Sequence, residues 1–336
     1  MLVTDLPLVQ PDPLEVLAST TGIVRHARDV RIDSGAIERF VASFGGTTPE
    51  PPAWDTTVHF QDDAPGGEDR IAGWVLALDA LNFCFWSTSS SRWLIEWQGK
   101  TWNGYMALAA ALSRAAAEGY PLWDPAWLRS ITPELAQHIL RPVAGSPEIP
   151  LPALRYRHLK ELGEGLEDRT AADLLREASG SGIALIREVL RRFPSFRDVA
   201  IGPDGTPVHF YKRAQILVAD LAGALTGTDL GTFHDRHLLT AFADYKVPQV
   251  LRELGILVYS DDLTARITRY ELVPAGSRVE LEIRAATIWA CELIRQELAK
   301  TGTPLTAQEI DWLLWTTGQD LPTTSAPYHR TLTPFY

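Results

Sequence analysis

The sequence predicts a predominantly α-helical fold, a single compact domain over residues 1–336 with one or two small β-hairpins. Apolar residues recur at helical spacing in most segments, and Gly and Pro separate these segments. Hydrophobic residues make up 46% of the chain, which is enough for a large core. Because neither an internal repeat nor a low-complexity linker divides the sequence, we expect one domain.

About ten helices follow from the spacing, and several carry end signals. Asp33 precedes the second helix, where its carboxylate can accept hydrogen bonds from free backbone amides. Gly119 ends an alanine-rich helix. The predicted helices cover residues 13–28, 35–44, 71–82, 105–118, 212–224, 233–243, 247–254, 280–299 and 306–316, with another near Asp261.

Two segments break the helical pattern and are typical of hairpins. Residues that favour strands flank Gln98-Gly99 within the segment 93–102. The second candidate joins residues 198–201 to residues 208–211 through a turn rich in Gly and Pro. We therefore expect small antiparallel pairs attached to a helical body.

The charge balance and the cysteine content exclude several functions. Asp and Glu number 42 against 31 Lys and Arg, and a net charge of −11 disfavours long nucleic acid as a partner. Cys84 and Cys291 are far apart and suit neither a disulfide framework nor a metal site, so we expect a reducing cytoplasm and no metal or cofactor. Without a signal sequence or a membrane-spanning run, we expect a soluble protein that does not bind a membrane.

Asp244 is the most informative polar residue of the chain. It follows Phe242, precedes Tyr245 and lies just before an apolar helix. A carboxylate in this setting can be kept ionised, shielded from water and directed at a bound ring. A site that stabilises a developing positive charge requires such a group.

Other polar residues lie in apolar segments, and each has a structural alternative. The aromatic segment 82–86 can stack on a planar ligand, although core packing alone is favoured. Lys212 opens a helix, where it can meet a phosphate or pair with nearby acids. Asp311 lies among apolar side chains that raise the pKa of a carboxyl or require a cationic partner.

Two further pairs combine charge with apolar surroundings. Glu282 and Arg284 lie in an otherwise apolar helix, where a structural ion pair is the first expectation. His329 and Arg330, near the C-terminus, can donate to an anion or dock the tail through a salt bridge. Both pairs leave a functional and a structural interpretation open.

Taken in order, these segments resemble the queuosine salvage protein family, the queuosine 5′-phosphate N-glycosylase/hydrolases, over nearly the whole chain. The matching segments are RDVRIDSGAI, LNFCFW, GKTWNGY, FPSFRDV, FYKRAQILVAD, FADYKVPQVLRELGILVYSDDL, VELEIRA, IDWLLW and PYHRT. The resemblance implies a fold related to helix-hairpin-helix DNA glycosylases, with residues 247–254, Gly255-Ile256-Leu257 and the helix near Asp261 forming a degenerate hairpin. It also implies hydrolysis of queuosine 5′-monophosphate to queuine, which is salvaged into transfer RNA, and ribose 5-phosphate.

The implied reaction gives roles to the candidate residues. Asp244 would stabilise an oxocarbenium-like transition state or act as nucleophile, and a 7-deazapurine leaving group increases the demand for this stabilisation. Asp311, with Asp235 as the weaker alternative, would pair with the cationic amine of the queuine side arm. The residues expected to contact the base are His59, Phe83, Trp86 and Phe242. The residues expected to contact the phosphate are Lys212, Lys246, His329, Arg330 and Tyr245.

Two other classes of protein stay open at this point. A DNA base-excision glycosylase of the helix-hairpin-helix type would share the fold and an aspartate, but the acidic charge balance disfavours a face for duplex phosphates. A non-catalytic nucleotide-binding protein or scaffold would accept the aromatic clusters but not so many polar groups in apolar segments. The sequence leaves open the oligomeric state, the carboxylate that activates water and the preference for nucleotide over nucleoside.

Overall fold

The computed structural model describes residues 2–3, 6–87, 91–322 and 324–336. Within these ranges the fold is predominantly α-helical, as predicted, with three small two-stranded sheets. The helices are α1 Val16–Arg25, α2 Ser34–Ala42, α3 Gly67–Ala80, α4 Gly104–Ala117, α5 Pro125–Ser130, α6 Pro133–Ile139, α7 Pro152–Leu166, α8 Ala171–Ala178, α9 Gly182–Arg192, α10 Lys212–Ala224, α11 Lys246–Glu253, α12 Asp261–Thr268, α13 Arg278–Lys300 and α14 Ala307–Gln319. The strands are β1 Val30–Ile32, β2 Leu94–Trp97, β3 Lys100–Asn103, β4 Val199–Ile201, β5 Pro207–His209 and β6 Leu257–Tyr259.

The chain divides into two compact units, each assembled from segments that are distant in sequence. The first unit comprises Met1–Pro52, Asp198–Lys212 and His237–Leu332. The second comprises Ala53–Arg197, Arg213–Arg236 and Thr333–Tyr336. The expectation of a single domain over residues 1–336 stays a prediction.

The first unit is organised around the long helix α13, which is buried over most of its length. Helices α1, α2, α11 and α14 and strand β1 pack against it. Strand β1 pairs antiparallel with β6, so that Val30 lies opposite Tyr259 and Ile32 opposite Leu257. Ser277 caps α13 by accepting a hydrogen bond from the backbone N–H of Glu280.

The second unit has its core around α3 and α4, whose residues are mostly buried. Helix α3 packs against α4, α7 and α8, and α7 also contacts α5 and α6. The hairpin β2–β3 packs on α4. Gly73 lets α3 approach the 121–124 turn closely, because a Cβ atom at this position would lie only 2.7 Å from the Cα of Trp123.

Both predicted hairpins and several predicted helix ends are confirmed. Strands β2 and β3 flank Gln98 and Gly99, whose positive φ values of 50° and 72° suit a tight two-residue turn. Strands β4 and β5 form the second hairpin. Asp33 Oδ1 accepts a hydrogen bond of 3.0 Å from the backbone N–H of Ala36, as expected of a helix cap.

The helix predicted over residues 233–243 is wrong, and five helices were not predicted. Residues 233–243 contain only a short 3₁₀ turn, Arg236–Leu238. The reason lies in Phe242, whose backbone N–H donates to the side chain of Asp311 and not to a carbonyl one turn earlier. The apolar spacing did not predict α5 to α9. All of these helices except α7 begin at a side-chain cap, for example at Thr132, Thr170 and Ser181.

The segment predicted as a degenerate hairpin contains a strand. Helix α11 ends before Gly255, which has a φ of 70°. The chain then forms β6, which pairs with the distant β1, before α12 begins. No helix within the described ranges is long and apolar enough to span a membrane.

Candidate active site

Asp244 lies at the N-terminus of α11, and the helix fixes the orientation of its carboxylate. The side chain is 8% exposed. Its Oδ1 accepts hydrogen bonds of 2.8 Å from the backbone N–H groups of Lys246 and Val247. Because both bonds fall on Oδ1, Oδ2 is the oxygen that the helix does not use. The positive end of the helix dipole also favours the ionised carboxylate.

A second carboxylate, Asp311, is fixed beside the segment that precedes Asp244. Asp311 lies on α14 and is 4% exposed. Its Oδ1 accepts a 2.8 Å hydrogen bond from the backbone N–H of Phe242. This bond ties α14 to the irregular segment that carries Asp244. Two acidic side chains far apart in sequence thus belong to one buried cluster.

The two carboxylates interact electrostatically with each other and with Lys212. Burial raises the pKa of Asp244, and Lys212 opposes this shift. Burial and then the charge of Asp244 raise the pKa of Asp311 well above its ordinary value, and Lys212 again opposes the shift. The pair therefore binds a proton more tightly than two exposed carboxylates would. A cationic group of a ligand would favour the ionised form of both carboxyls.

The phenol ring of Tyr245 and the ammonium group of Lys246, which follow Asp244 in the chain, lie close to the phenol ring of Tyr328. The ring of Tyr245 is 4.8 Å from that of Tyr328. Lys246 Nζ lies 5.8 Å from the centre of the Tyr328 ring and 3.2 Å from Gln249 Oε1. Gln249 Nε2 in turn donates to the carbonyl oxygen of Ala326 at 2.7 Å. Hydroxyl and ammonium donors grouped in this way suit an anion.

His329 and Arg330, which the sequence suggested as phosphate ligands, lie in different surroundings. His329 is 2% exposed, and burial together with the charge of Arg284 lowers its pKa to about 3. His329 is therefore neutral near pH 7, and its expected contact with the phosphate stays a prediction. The guanidinium of Arg330 lies 4.4 Å from the centre of the Tyr270 ring.

The remaining candidates, His59, Phe83, Trp86 and Asp235, belong to the second unit. His59 Nδ1 is 2.5 Å from the carbonyl oxygen of Asp55, and its Nε2 is 2.9 Å from the hydroxyl of Tyr105. Both ring nitrogens of His59 are thus held by the protein.

Phe83 and Asp235 also have structural partners within that unit. Phe83 is fully buried, with the guanidinium of Arg155 4.3 Å from the centre of its ring. Trp86 is buried as well, at 4% exposure. The Asp235 carboxylate accepts hydrogen bonds of 2.6 Å from Ser181 Oγ and 2.7 Å from the backbone N–H of Gly182, at the start of α9. Asp235 therefore serves as a helix cap.

Tyr328 and Gln249 are the members of this site that sequence reasoning missed. Tyr328 lies in the segment PYHRT, where charge drew attention to His329 and Arg330. Gln249 follows Asp244 by about one and a half helical turns and has no unusual sequence context. Among the described residues, no group of three or more His, Cys, Asp or Glu side chains could hold a metal ion.

Comparisons with known proteins identify similar sequences over most of the chain. A family described as "Queuosine salvage protein" matches residues 59–336. A protein of Sphaerobacter thermophilus named queuosine 5′-phosphate N-glycosylase/hydrolase is 48% identical over 328 residues, covering 97% of this chain and 98% of that protein. The protein of the same name from Bos taurus is 35% identical, covering 94% of this chain and 96% of that protein. The protein of that name from Mus musculus is 34% identical, covering 96% of this chain and 99% of that protein.

Proposed function

Because the chain belongs to the queuosine salvage protein family, we propose that it hydrolyses the N-glycosidic bond of queuosine 5′-monophosphate. The products are queuine, for salvage into transfer RNA, and ribose 5-phosphate. The main structural support for this proposal is the buried carboxylate of Asp244. Its orientation is fixed by the hydrogen bonds that Oδ1 accepts from backbone N–H groups at the start of α11. The net charge of −11 supports a free nucleotide as substrate in preference to long nucleic acid, and two buried free thiols support a cytoplasmic location.

Asp244 supplies the negative charge that the reaction requires. Breaking the bond to the base generates an oxocarbenium-like ribosyl group, and a carboxylate beneath the anomeric carbon stabilises it or attacks it as nucleophile. In our proposal Oδ2 faces the ribose. The leaving base is a 7-deazapurine, which lacks a ring nitrogen that purine hydrolases commonly protonate. Stabilisation of the cation therefore contributes more to the rate.

Asp311 recognises the side arm of the base. That arm carries a secondary amine, which is cationic at neutral pH. Asp311 interacts electrostatically with Asp244, the residue that we place at the ribose, so its carboxylate can reach the amine of a base bound there. Because burial raises the pKa of Asp311, binding of the cation shifts Asp311 to its ionised form.

The remaining groups hold the phosphate and balance the charge of the acids. We assign the phosphate to Lys246, Tyr245 and Tyr328, which lie together next to Asp244. We assign Lys212 to the two carboxylates, because it favours the ionised form of both. Phosphate binding then contributes to rate, since a fixed remote group orients the ribose over Asp244. The roles of His59, Phe83, Trp86 and Phe242 at the base stay predictions.

The test is release of queuine by the purified protein, measured by mass spectrometry. With queuosine 5′-monophosphate, the protein should yield free queuine and ribose 5-phosphate, and with duplex DNA it should release no base. Asp244→Asn should lower turnover by about a thousandfold or more while the circular dichroism spectrum is unchanged, because Asn also caps helices. Asp33→Asn changes the capping aspartate of another helix, α2, and should keep full activity. Near-normal release by Asp244→Asn would show that another residue stabilises the cation.

A further inference from the structure

A buried ion pair in the first unit lies next to the start of α10 in the structure. Arg284, on α13, and Asp198 are each 2% exposed. The guanidinium donates to both carboxylate oxygens, with distances of 2.9 and 2.5 Å, and lies 3.8 Å from the centre of the Phe210 ring. Replacing a buried ion pair with apolar side chains often leaves the stability of a protein unchanged or increases it. We therefore consider a role for this pair other than stabilising the fold.

Asp198 holds three consecutive backbone amides at the start of α10. Its carbonyl oxygen accepts from the N–H groups of Phe210 at 3.0 Å and Tyr211 at 3.2 Å. Its carboxylate Oδ2 accepts from the N–H of Lys212 at 3.3 Å. Tyr211 has a φ of 50°, a conformation that side chains other than glycine rarely adopt. The turn is therefore held in place by Asp198, and Arg284 in turn holds the carboxylate of Asp198.

This turn ends at Lys212, whose charge favours the ionised forms of Asp244 and Asp311. Lys212 is the first residue of α10 and is 5% exposed. We propose that Asp198 and Arg284 are positioning residues, an inference that rests on the proposed function. Their bidentate ion pair fixes the start of α10, so that the Lys212 ammonium stays directed at Asp244 and Asp311. Neither residue needs to touch the substrate.

Several charged and titratable groups around Asp244 and around the ion pair affect the protonation of Asp244. Lys212 and Lys246 favour its ionised form. Asp311 carries a like charge, and the Cys291 thiol, whose pKa burial raises, also interacts with Asp244. Around the ion pair, Glu280 lies 3.6 Å from Arg284, and His329 is kept neutral by burial and by Arg284. Displacing Lys212 removes a cation that opposes protonation of Asp244.

The first test measures the pH dependence of kcat in Arg284→Lys, whose ammonium cannot form the bidentate pair. The acid limb is the part of the pH–kcat profile over which kcat rises as Asp244 becomes ionised. It should move to higher pH by about one unit, so that kcat at a given pH on this limb falls about tenfold. On the plateau at higher pH, kcat should change little. Lys212→Met should shift the limb in the same direction. The double variant should add little to Lys212→Met alone, because both changes act through one ammonium.

The matched control is Arg278→Lys, which alters another ion pair of α13, the one with Glu282 and Asp29. It should leave the acid limb in place. If Arg284→Lys lowers kcat equally at every pH, or only lowers the melting temperature, the ion pair is structural and the proposal fails. Asp198→Asn gives the same comparison if Arg284→Lys does not fold.

A second measurement separates this proposal from the assignment of the substrate. Carboxyl carbons of ¹³C-labelled aspartate report protonation by NMR without any turnover. The titration of Asp244, assigned by its loss in Asp244→Asn, should move to higher pH in Arg284→Lys than in the wild type. An unchanged titration would overturn the positioning role, whereas a shifted titration in a protein that releases no queuine would overturn only the proposed function.

Discussion

At the scale of single residues, the proposed role of Asp311 couples recognition of the base to protonation. Burial and the charge of Asp244 raise the pKa of its carboxyl, and a cationic ligand would shift Asp311 towards its ionised form, whereas a neutral ligand would not. The amine of queuine supplies that cation in the proposed reaction. Selectivity for the side arm should therefore depend on this one carboxylate.

Asp311→Asn should reduce that selectivity. We expect kcat/KM for queuosine 5′-monophosphate to fall by about a hundredfold, because a charged hydrogen bond is lost from a buried site. The nucleotide of 7-deazaguanine, which lacks the arm, should lose much less. Steady-state kinetics with both substrates give the comparison, and an equal loss for both would assign Asp311 to the ribose or to the fold.

Lys246 should matter more for the phosphorylated substrate than for the nucleoside. Lys246→Gln keeps a polar side chain but removes the charge beside Tyr245 and Tyr328. On the pH plateau, where Asp244 stays ionised without Lys246, we expect kcat/KM for the nucleotide to fall by about 10- to 100-fold and the slow turnover of the nucleoside to stay within about twofold. Measuring both substrates decides the point, because a shared loss would place Lys246 at the ribose or at Asp244.

The sequence could identify the acids of the site but not the network that supports them. Asp244 and Asp311 are recognisable because carboxylates are rare in apolar segments. The pairing of Asp198 with Arg284 joins residues 86 positions apart, and no local pattern records it. The neutrality of His329 likewise depends on burial, which a charged motif near the C-terminus does not reveal.

At the scale of elements, local rules work where local interactions decide the structure. The bounds of α10 agree with the prediction because apolar spacing and a turn define both ends. The pairing of β1 with β6 joins Val30 to Tyr259, and short strands so far apart leave no recognisable signal. The irregular segment before Asp244 has apolar helical spacing, yet its buried polar contacts replace the helical hydrogen bonds.

Two helical glycines should respond oppositely to the same substitution. A Cβ atom added to Gly22 in α1 would have no neighbouring atom within 4 Å, so Gly22→Ala should stabilise by about 0.5–1 kcal/mol. A Cβ atom added to Gly73 in α3 would lie 2.7 Å from the backbone of Trp123, so Gly73→Ala should destabilise by about 1–3 kcal/mol. Urea unfolding of both variants measures the difference, and a stabilised Gly73→Ala would contradict the close approach.

At the scale of the whole molecule, composition predicts the size of the core but not its partition. Hydrophobic residues at 46% support a large buried interior. The assignment of residues 198–212 to the first unit and of residues 213–236 to the second is set by contacts distant in sequence. Adjacent residues such as Lys212 and Arg213 therefore belong to different units, although both lie in one helix.

Buried histidines in both units should make the protein sensitive to acid. Burial lowers the pKa of His158, in the second unit, and of His329, in the first, to about 3 in both cases. In the unfolded chain an exposed imidazole titrates near its ordinary pKa of about 6.5. Below that value the unfolded state binds more protons than the folded state, so stability falls as the pH falls from about 6.5 towards 3.

Each histidine should contribute a loss of about 1.4 kcal/mol per pH unit within that window, and none above it. Urea unfolding at pH 7 and pH 5 measures the loss in the wild type. His329→Gln and His158→Gln should each reduce the difference between the two pH values by about 2 kcal/mol, even where packing changes lower both absolute stabilities. His237→Gln, at an exposed position, should leave the difference unchanged. If the two buried variants kept the wild-type difference, the imidazoles would have to be accessible to protons in the folded protein, and other groups would account for the loss in acid.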